Sequence, residues 1–390
     1  MEEKGQKIRS IIKYPSFCGF MLVCTVMFIL YLLLPPKSFS DTENRFLAER
    51  PAVTVNGIKD GSFMEAFDTY TEEQLPFRDL LIDIKADTEL ILLKKENNNI
   101  VRGKDGYLFE KILTADKRLS RNEAIIENFA KNTDRDIYLG IVPNSFEILK
   151  DRVPYGLPEI SEKEYIDSFY EELSRIGNVH TIDVYDSLNK AAARDDEQIY
   201  YRTDHHWTTN GAYEGYRAIC EKMGLKPCDI DESLRESVPG FYGTYYAKYK
   251  GRGIASDEII YYNIPVRSYT VNDGEEKYGL YDLKKAETYD KYAMFLHGNY
   301  GCGEIISGVS ENDDTLVIFK DSYSNCLIPF LLYDYGRIIV VDLRYYGASA
   351  EELLNREADA DILLLYNFSH LNEDNNFYKL IRGQQNGEKD

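Results

Sequence analysis

Tryptophan is nearly missing from this chain, histidine is scarce, and positive charge is outnumbered. One Trp and five His stand among 390 residues, and 46 Lys and Arg face 66 Asp and Glu, for a formal net charge of -20. Phosphate binding needs clustered basic side chains, so the balance argues against nucleic acid as a partner. Metal-ligand spacing is missing among the six cysteines. Cys18 and Cys24 sit inside an apolar run, Cys24 follows Val23 where a lipoprotein signal needs a small residue, and Cys220, Cys228, Cys302 and Cys326 are scattered. An oxidising exterior permits disulfides, but the spacing fixes no pairing. There are no internal repeats or low-complexity tracts, and the length suits one large domain or two ordinary ones.

Tyrosine, by contrast, is abundant: 32 Tyr and 18 Phe bring the aromatic content to 13%. A ring with a polar tip suits contact with sugars, although a tyrosine-rich surface gives the same count. From Tyr14 to Pro36 no residue is charged, and Phe17 to Leu34 is almost wholly apolar. At roughly 1.5 Å per residue, a helix of that length crosses a bilayer core. Lys4, Lys7, Arg9 and Lys13 precede it. The positive-inside bias then makes 1–13 a cytoplasmic tail and 14–36 an anchor in membrane lipid, with the rest outside. Ser38 and Ser40 offer the small residues of a cleaved signal peptide. The run is longer than a signal's apolar core, however, and Pro35-Pro36 ends it abruptly, which favours an uncleaved anchor.

Residues 37–99 read as a juxtamembrane helical segment. Between Asp83 and Lys95, Ile84, Leu90, Ile91 and Leu93 recur among charges at broadly helical spacing, and Asn97-Asn98-Asn99 breaks the pattern. Gly103-Lys104-Asp105-Gly106 is a turn signal ahead of a short strand from Tyr107 to Phe109. Strands and helices then alternate. Strands are expected at Ile137–Val142, Thr181–Tyr185, Thr315–Phe319, Arg337–Leu343 and Ile362–Tyr366. Helices are expected at Lys163–Ile176, Thr209–Met223, Ser324–Tyr335 and Glu351–Glu357. Short apolar strands separated by helices imply an α/β fold, a largely parallel sheet covered on both faces. The stretch 230–300, rich in Tyr, Gly and charge, breaks the rhythm and reads as an insertion or a small β-rich lobe, and 381–390 is a polar tail.

The densest chemistry lies in Thr203-Asp204-His205-His206-Trp207-Thr208-Thr209-Asn210-Gly211, which holds two of the five histidines and the single Trp. In an extended segment Asp204 and His206 project to one side and His205 to the other. A carboxylate so placed fixes the imidazole tautomer and stabilises the imidazolium that forms when the ring takes a proton. Thr208 or Thr209 can cap the following helix, which Gly224 ends. A nucleophile for such a base is offered where strand Thr315–Phe319 runs into Lys320-Asp321-Ser322-Tyr323-Ser324-Asn325. A serine there stands at the carboxyl end of a parallel strand, where ligands bind, and a helix N-terminus supplies N–H groups to a developing oxyanion. Two plainer readings stand beside this one: Ser322 as a helix N-cap, and Asp204-His205-His206 as a metal site. The metal site wants further ligands, and His180, His297 and His370 lie without motif spacing.

The quartet Asp204-His205-His206-Trp207 resembles the signature of the DHHW family of bacterial exported proteins. These are similar to the alginate O-acetyltransferase proteins J and X of the SGNH-hydrolase superfamily. Further segments agree in order along the chain: Glu43-Asn44-Arg45-Phe46-Leu47, Pro76-Phe77-Arg78-Asp79 and Gly103-Lys104-Asp105-Gly106-Tyr107-Leu108. Phe241-Tyr242-Gly243-Thr244-Tyr245-Tyr246, Lys320-Asp321-Ser322-Tyr323 and Asp342-Leu343-Arg344-Tyr345-Tyr346 follow them. The resemblance implies a flavodoxin-like SGNH-hydrolase domain with a parallel sheet over 100–380, behind one N-terminal transmembrane helix. It implies a circularly permuted order in which the dyad Asp204 and His206 precedes the nucleophile Ser322. It also implies an oxyanion hole, for which Asn299 and Gly298 are the candidates, with Tyr323, Arg344 and Tyr345 as further oxyanion or substrate residues. Neither a metal nor a cofactor belongs to that chemistry.

The expected function is transfer of acetyl groups to an extracellular or cell-surface polysaccharide through an acetyl-serine. The resemblance adds a membrane-bound O-acyltransferase as the partner supplying acetyl, and a catalytic domain in the periplasm or outside the cell. A carbohydrate acetyl esterase with the same triad and a non-catalytic scaffold of polysaccharide assembly are the alternatives. Relatives can carry a separate carbohydrate-binding domain, and after Ser369 this chain offers only a short polar end, so no polymer is specified.

Overall fold

Pro15–Leu33 forms one continuous helix, with the proline at its first turn, where a missing N–H is harmless. It is long and apolar enough to cross a membrane. The structure is a computed structural model that describes residues 14–40, 45–92, 94, 96–158, 160–194, 197–272 and 274–381. The basic residues Lys4 to Lys13, the motif residues Glu43 and Asn44, Lys95 and the tail from 382 lie outside these ranges. The chain divides into two units, Met1–Leu93 and Lys94–Asp390. In the first, helices Val55–Asp60, Ser62–Glu73 and Arg78–Ile91 follow the apolar helix. The last of these starts at Arg78, ahead of the expected Asp83, with Asp79 in its first turn.

In the second unit, Asn98 and Asn99 both take positive φ, 47° and 63°, the geometry of a two-residue hairpin turn. They join Glu96–Asn97 to Ile100–Arg102, and Leu108–Glu110 completes a three-stranded sheet. The main sheet has eight strands in the order Glu275–Lys277, Val266–Val271, Cys302–Ser307, Arg337–Val341, Thr315–Lys320, Asp361–Asn367, Ile137–Val142, Val179–Ile182. From Arg337–Val341 to Val179–Ile182 every pairing is parallel. Three antiparallel pairings extend the other edge. Counted from Thr315–Lys320 as the first strand and carried past the C-terminus back to Ile137–Val142, the parallel part reads 2-1-3-4-5. That is the flavodoxin-like order, entered part-way round. The fold is the expected one, an α/β domain built on a mostly parallel sheet.

Alternation along each strand feeds two cores. Leu316, Ile318, Ile338, Val340, Leu363 and Leu365 face one, while Val317, Phe319, Ile339, Val341, Ile362 and Leu364 face the other. Helices Val184–Arg194 and Thr209–Met223 cover the first core through Leu188, Ala191, Tyr216 and Ile219. Lys117–Lys131 and Glu162–Leu173 cover the second through Ile126, Phe129, Ile166 and Phe169. Lys117–Lys131 and Val184–Arg194 are helices beyond those expected from the sequence. Each carries a regular apolar stripe, Leu119, Ile126 and Phe129 in the first and Val184, Leu188 and Ala191 in the second. The helix expected over Ser324–Tyr335 is instead a 3-10 turn, Ser322–Cys326, followed by a single α-turn, Ile328–Leu331. Pro329, the second residue of that turn, lacks the N–H that would carry the preceding turn onward. Of the stretch 230–300, Arg235–Phe241 and Asp257–Tyr262 pair with each other, whereas Val266–Val271 and Glu275–Lys277 lengthen the main sheet.

The loop between Val184–Arg194 and Thr209–Met223 closes on itself. Tyr200 and Trp207 bridge in antiparallel fashion, and the Tyr201 N–H donates to the His206 carbonyl at 3.2 Å. Buried Asp257 pins it from the neighbouring strand. One of its oxygens accepts from the Thr203 N–H (2.8 Å) and hydroxyl (2.7 Å), the other from Gln198 (2.8 Å) and Arg202 (3.1 Å). A buried carboxylate with four donors is a strong tie. Asp257→Ala should therefore lower unfolding stability by about 3 kcal/mol, since it strands buried donors. Denaturant unfolding of the full chain in detergent measures it, and a loss under about 0.5 kcal/mol, the size of an ordinary surface change, would show that the loop is held elsewhere.

Candidate active site

Asp204 and His206 do reach one another, but not through the extended backbone that their spacing suggested. The segment bends, and the Asp204 carboxylate accepts from the His206 N–H at 3.0 Å, an Asx turn closed two residues on. The same oxygen, Oδ1, stands 2.5 Å from His206 Nδ1. A carboxylate can only accept, so Nδ1 carries the proton and Nε2 presents its lone pair. Nε2 lies 2.8 Å from Ser322 Oγ. Ser322 is the first residue of the 3-10 turn, so its own N–H has no acceptor within that turn. Asp321, not Ser322, is the N-cap: its Oδ1 accepts the Tyr323 N–H at 2.9 Å, while its Oδ2 accepts the Asn367 N–H at 2.7 Å from the adjoining strand. The serine hydroxyl is thereby left to the imidazole.

The site sits at the carboxyl end of Thr315–Lys320, between its parallel neighbours Arg337–Val341 and Asp361–Asn367. In an open α/β sheet the crevice beside such a reversal of strand order is where ligands bind. Trp207 ties the two chain segments together. Its fully buried indole donates to the Tyr323 carbonyl at 2.8 Å. Gly215, on the following helix, makes room for the ring, because a Cβ there would lie 2.8 Å from it. Thr208 caps that helix by accepting the Gly211 N–H at 3.2 Å, and Gly224 (φ 72°) ends it, both as expected.

His205 does not point away. Its ring centroid lies 3.7 Å from that of His206, and its Nδ1 is 3.6 Å from Asp204 Oδ2 and 2.6 Å from the Thr244 hydroxyl. The Asx turn, which brings both rings to one carboxylate, is the cause. Asp204, His205 and His206 could each give one ligand atom to a metal ion, all within 4.8 Å of one another. His206 Nδ1, however, already faces Asp204 across a hydrogen bond.

Two further residues complete the surroundings. Thr244 donates both its N–H (2.8 Å) and its hydroxyl (3.1 Å) to Asp204 Oδ2. Gly243 before it has no alternative, since a Cβ would fall 2.2 Å from that same oxygen. Tyr292 stacks on His206 with centroids 3.7 Å apart and planes 9° apart, while its hydroxyl donates to the Ser322 carbonyl at 3.1 Å. A ring face so placed favours an imidazolium over a neutral ring. Neither residue has a spacing signal of its own. Gly243-Thr244 belongs to a segment noted for its resemblance, and Tyr292 lies in the irregular stretch.

The candidates for the rim divide. Asn299 Oδ1 accepts from Lys320 Nζ (3.2 Å) and Asn325 Nδ2 (3.1 Å), side chains that flank Ser322 in sequence. Gly298 precedes it with φ 104°. Arg344 grips Asp342 through Nε at 2.9 Å and Nη2 at 2.6 Å, and Tyr345 stands exposed beside its guanidinium. Tyr323 serves another end. It is buried, and its hydroxyl donates to the His205 carbonyl, which locks the histidine loop to the serine turn.

Burial disfavours the Asp204 charge, yet the two imidazoles beside it hold its pKa well below the carboxylate range. Burial and then the His205 charge push His206 down to about 4, against the pull of Asp204. For His205 burial opposes a charge as well, but the Asp204 carboxylate outweighs it and raises the pKa. One ring is thus pushed toward its neutral form and the other toward its cationic form. With the folded His206 pKa below the unfolded 6.5 or so, protonation of the unfolded chain draws stability away as pH falls from about 6.5 toward 4. NMR of histidine-labelled protein should show His206 titrating below pH 5 and His205 above 6.5, and His205→Ala should move the His206 midpoint upward. Two rings titrating together near 6.5 would contradict this arrangement.

A profile of the DHHW protein family matches residues 99–341. The probable alginate O-acetylase AlgJ of Pseudomonas aeruginosa is 23% identical over 192 residues, 47% of this chain and 46% of that protein. The chain therefore spans about half the length of the curated relatives it matches. A crystal structure of a DHHW family protein from Eubacterium siraeum aligns with a TM-score of 0.57 at 24% identity, over 73% of this chain and 95% of that one. Bacillus cereus PatB1 aligns with a TM-score of 0.60 at 20% identity, over 70% and 97%. These likenesses establish a shared fold. With the profile covering more than half of its length, and the quartet Asp204 to Trp207 at the heart of the site, the chain belongs to the DHHW family.

Proposed function

We propose that this protein is an O-acetyltransferase that uses Ser322, His206 and Asp204 as a catalytic triad to acetylate a polysaccharide outside the cytoplasm. The unbroken hydrogen-bond path from Asp204 through His206 to Ser322 carries the reading. Support for acetyl as the group and a polysaccharide as its destination comes from the relative named a probable alginate O-acetylase. The apolar helix Pro15–Leu33 supports an anchored topology, with residues 1–13 in the cytoplasm and the domain from residue 100 onward outside. A membrane-bound O-acyltransferase is the partner this topology calls for, because acetyl must reach the far side of the membrane.

The chemistry runs in two halves. Ser322 Oγ attacks the acetyl carbonyl as His206 Nε2 takes its proton, and Asp204 steadies the imidazolium. The carbonyl oxygen gathers negative charge. The Ser322 N–H and the Asn299 amide are the donors proposed to meet it, each worth roughly 3 kcal/mol in the transition state. Collapse breaks the bond to the donor's leaving group, which takes the proton from His206. A sugar hydroxyl then gives its proton to His206 and attacks the acetyl-serine, and Ser322 leaves with its hydrogen restored. The stacked Tyr292 face favours the cationic form that the ring takes once in each half.

Release of acetate from 4-nitrophenyl acetate tests the triad. Ser322→Ala and His206→Ala should each lower the rate by about 10³ or more, and Asp204→Asn by roughly 10³–10⁴, since an amide selects the wrong tautomer. EDTA should leave the rate intact. Loss with EDTA and recovery with zinc would replace the serine mechanism with a metal one, and a fully active Ser322→Ala would end it. Acetylated oligosaccharide in the presence of acceptor marks a transferase, and acetate alone an esterase. An inert wild type that still binds polysaccharide would be a scaffold.

A further inference from the structure

Lys320 is a charged side chain only 1% exposed, two residues before Ser322 on the strand that delivers it. Its ammonium reaches Asn325 Oδ1 at 2.7 Å, Asn299 Oδ1 at 3.2 Å and Asp342 Oδ2 at 3.6 Å. An ammonium can only donate, so the atoms it touches on both asparagines must be their oxygens. That settles the orientation of both carboxamides. With Oδ1 turned to Lys320, Asn325 presents Nδ2, which donates to Asn299 Oδ1 at 3.1 Å. The Asn299 oxygen therefore holds two donors on the side of the serine turn's base. Its Nδ2 has no hydrogen-bond partner among the described residues. Without the lysine, the Asn299 amide could turn over and offer an oxygen where a donor is required.

We propose that Lys320 is a positioning residue for acyl transfer: with Asn325 it fixes the Asn299 oxygen inward and so aims the Asn299 N–H groups at the oxyanion formed on the Ser322 adduct. Asp342 makes the buried cation tolerable, and Arg344, paired with Asp342 through two nitrogens, keeps that carboxylate matched even if the lysine is lost. Burial pushes the Lys320 ammonium down to about 8, with Asp342 pulling it back, so at neutral pH it stays a pure donor. The inference rests on the proposed acyl-serine reading.

The test is a double-mutant cycle on turnover of 4-nitrophenyl acetate by the full-length chain in detergent, with thermal unfolding recorded for every variant. Asn299→Ala should lower kcat by about 10²–10³ with KM unchanged within about twofold, the signature of a lost oxyanion donor. Lys320→Met should lower kcat in the same way. The double variant should be no slower than Asn299→Ala alone, because Lys320 acts only through Asn299. If Lys320→Met fails to fold, Asn325→Ala, which removes the other donor, takes its place in the cycle with the same expected non-additivity. Losses that multiply in the double variant, or Asn299→Ala at the wild-type rate, overturn the inference while leaving the triad standing. Ser322→Ala indistinguishable from wild type overturns the acyl-serine reading and this inference with it.

Discussion

The Asp204 carboxylate is buried and charged, and much of the site consists of what makes that combination stable. An isolated carboxylate in such a place would give up its charge rather than remain ionised. Here it accepts from the His206 ring and backbone on one oxygen and from both donors of Thr244 on the other, with His205 alongside. These bonds draw two separate stretches of chain to one point. The loop before Thr209–Met223 supplies the imidazoles, and the segment after Arg235–Phe241 supplies Thr244. Gly243 is a consequence of the same constraint, since any side chain there would occupy the space of the carboxylate oxygen. An ionised Asp204 then sets the His206 tautomer, and the tautomer leaves Nε2 open to Ser322.

The order of residues along the chain follows from the topology. In a flavodoxin-like sheet the strand beside the switch point comes first, yet here Thr315–Lys320 comes third among the parallel strands, after Ile137–Val142 and Val179–Ile182. Rotating the starting point of the chain preserves every neighbour in the sheet, and so preserves the crevice. What changes is that the histidine loop now precedes the serine, by 116 residues. Buried bridges hold segments so distant in sequence at hydrogen-bond range. Trp207 and Tyr323 each donate to a carbonyl of the opposite segment, and Tyr292 braces the His206 ring from its face while bonding the Ser322 backbone.

Much of this was readable from residue types and spacing, and the failures have physical causes. Runs such as Thr315–Phe319 are apolar on both faces because the strand is buried on both, so they stand out without alternation. The helix Thr209–Met223 announced itself through a threonine cap and a terminal glycine. At Asp204 spacing alone cannot tell an extended pair from an Asx turn, and only the turn brings His205 to the same carboxylate. Tyr323 looked like a rim residue from its place beside Ser322, but its hydroxyl is needed inside to bind a backbone carbonyl. Lys320 gave no sign of its burial, because the partners that make it tolerable, Asn299 and Asp342, are about twenty residues away on either side.

The central claim is that Ser322 carries the acetyl group between donor and acceptor, and direct trapping of that species tests it. The protein mixed with 4-nitrophenyl acetate, quenched in acid within the first turnovers and digested, should yield the Ser322 peptide bearing a single acetyl group on the serine. The adduct should be absent from Ser322→Ala and should decay when an acceptor sugar is added before the quench. Acetyl groups found only on other residues, or steady turnover with no acetylated serine at any time, would contradict the account.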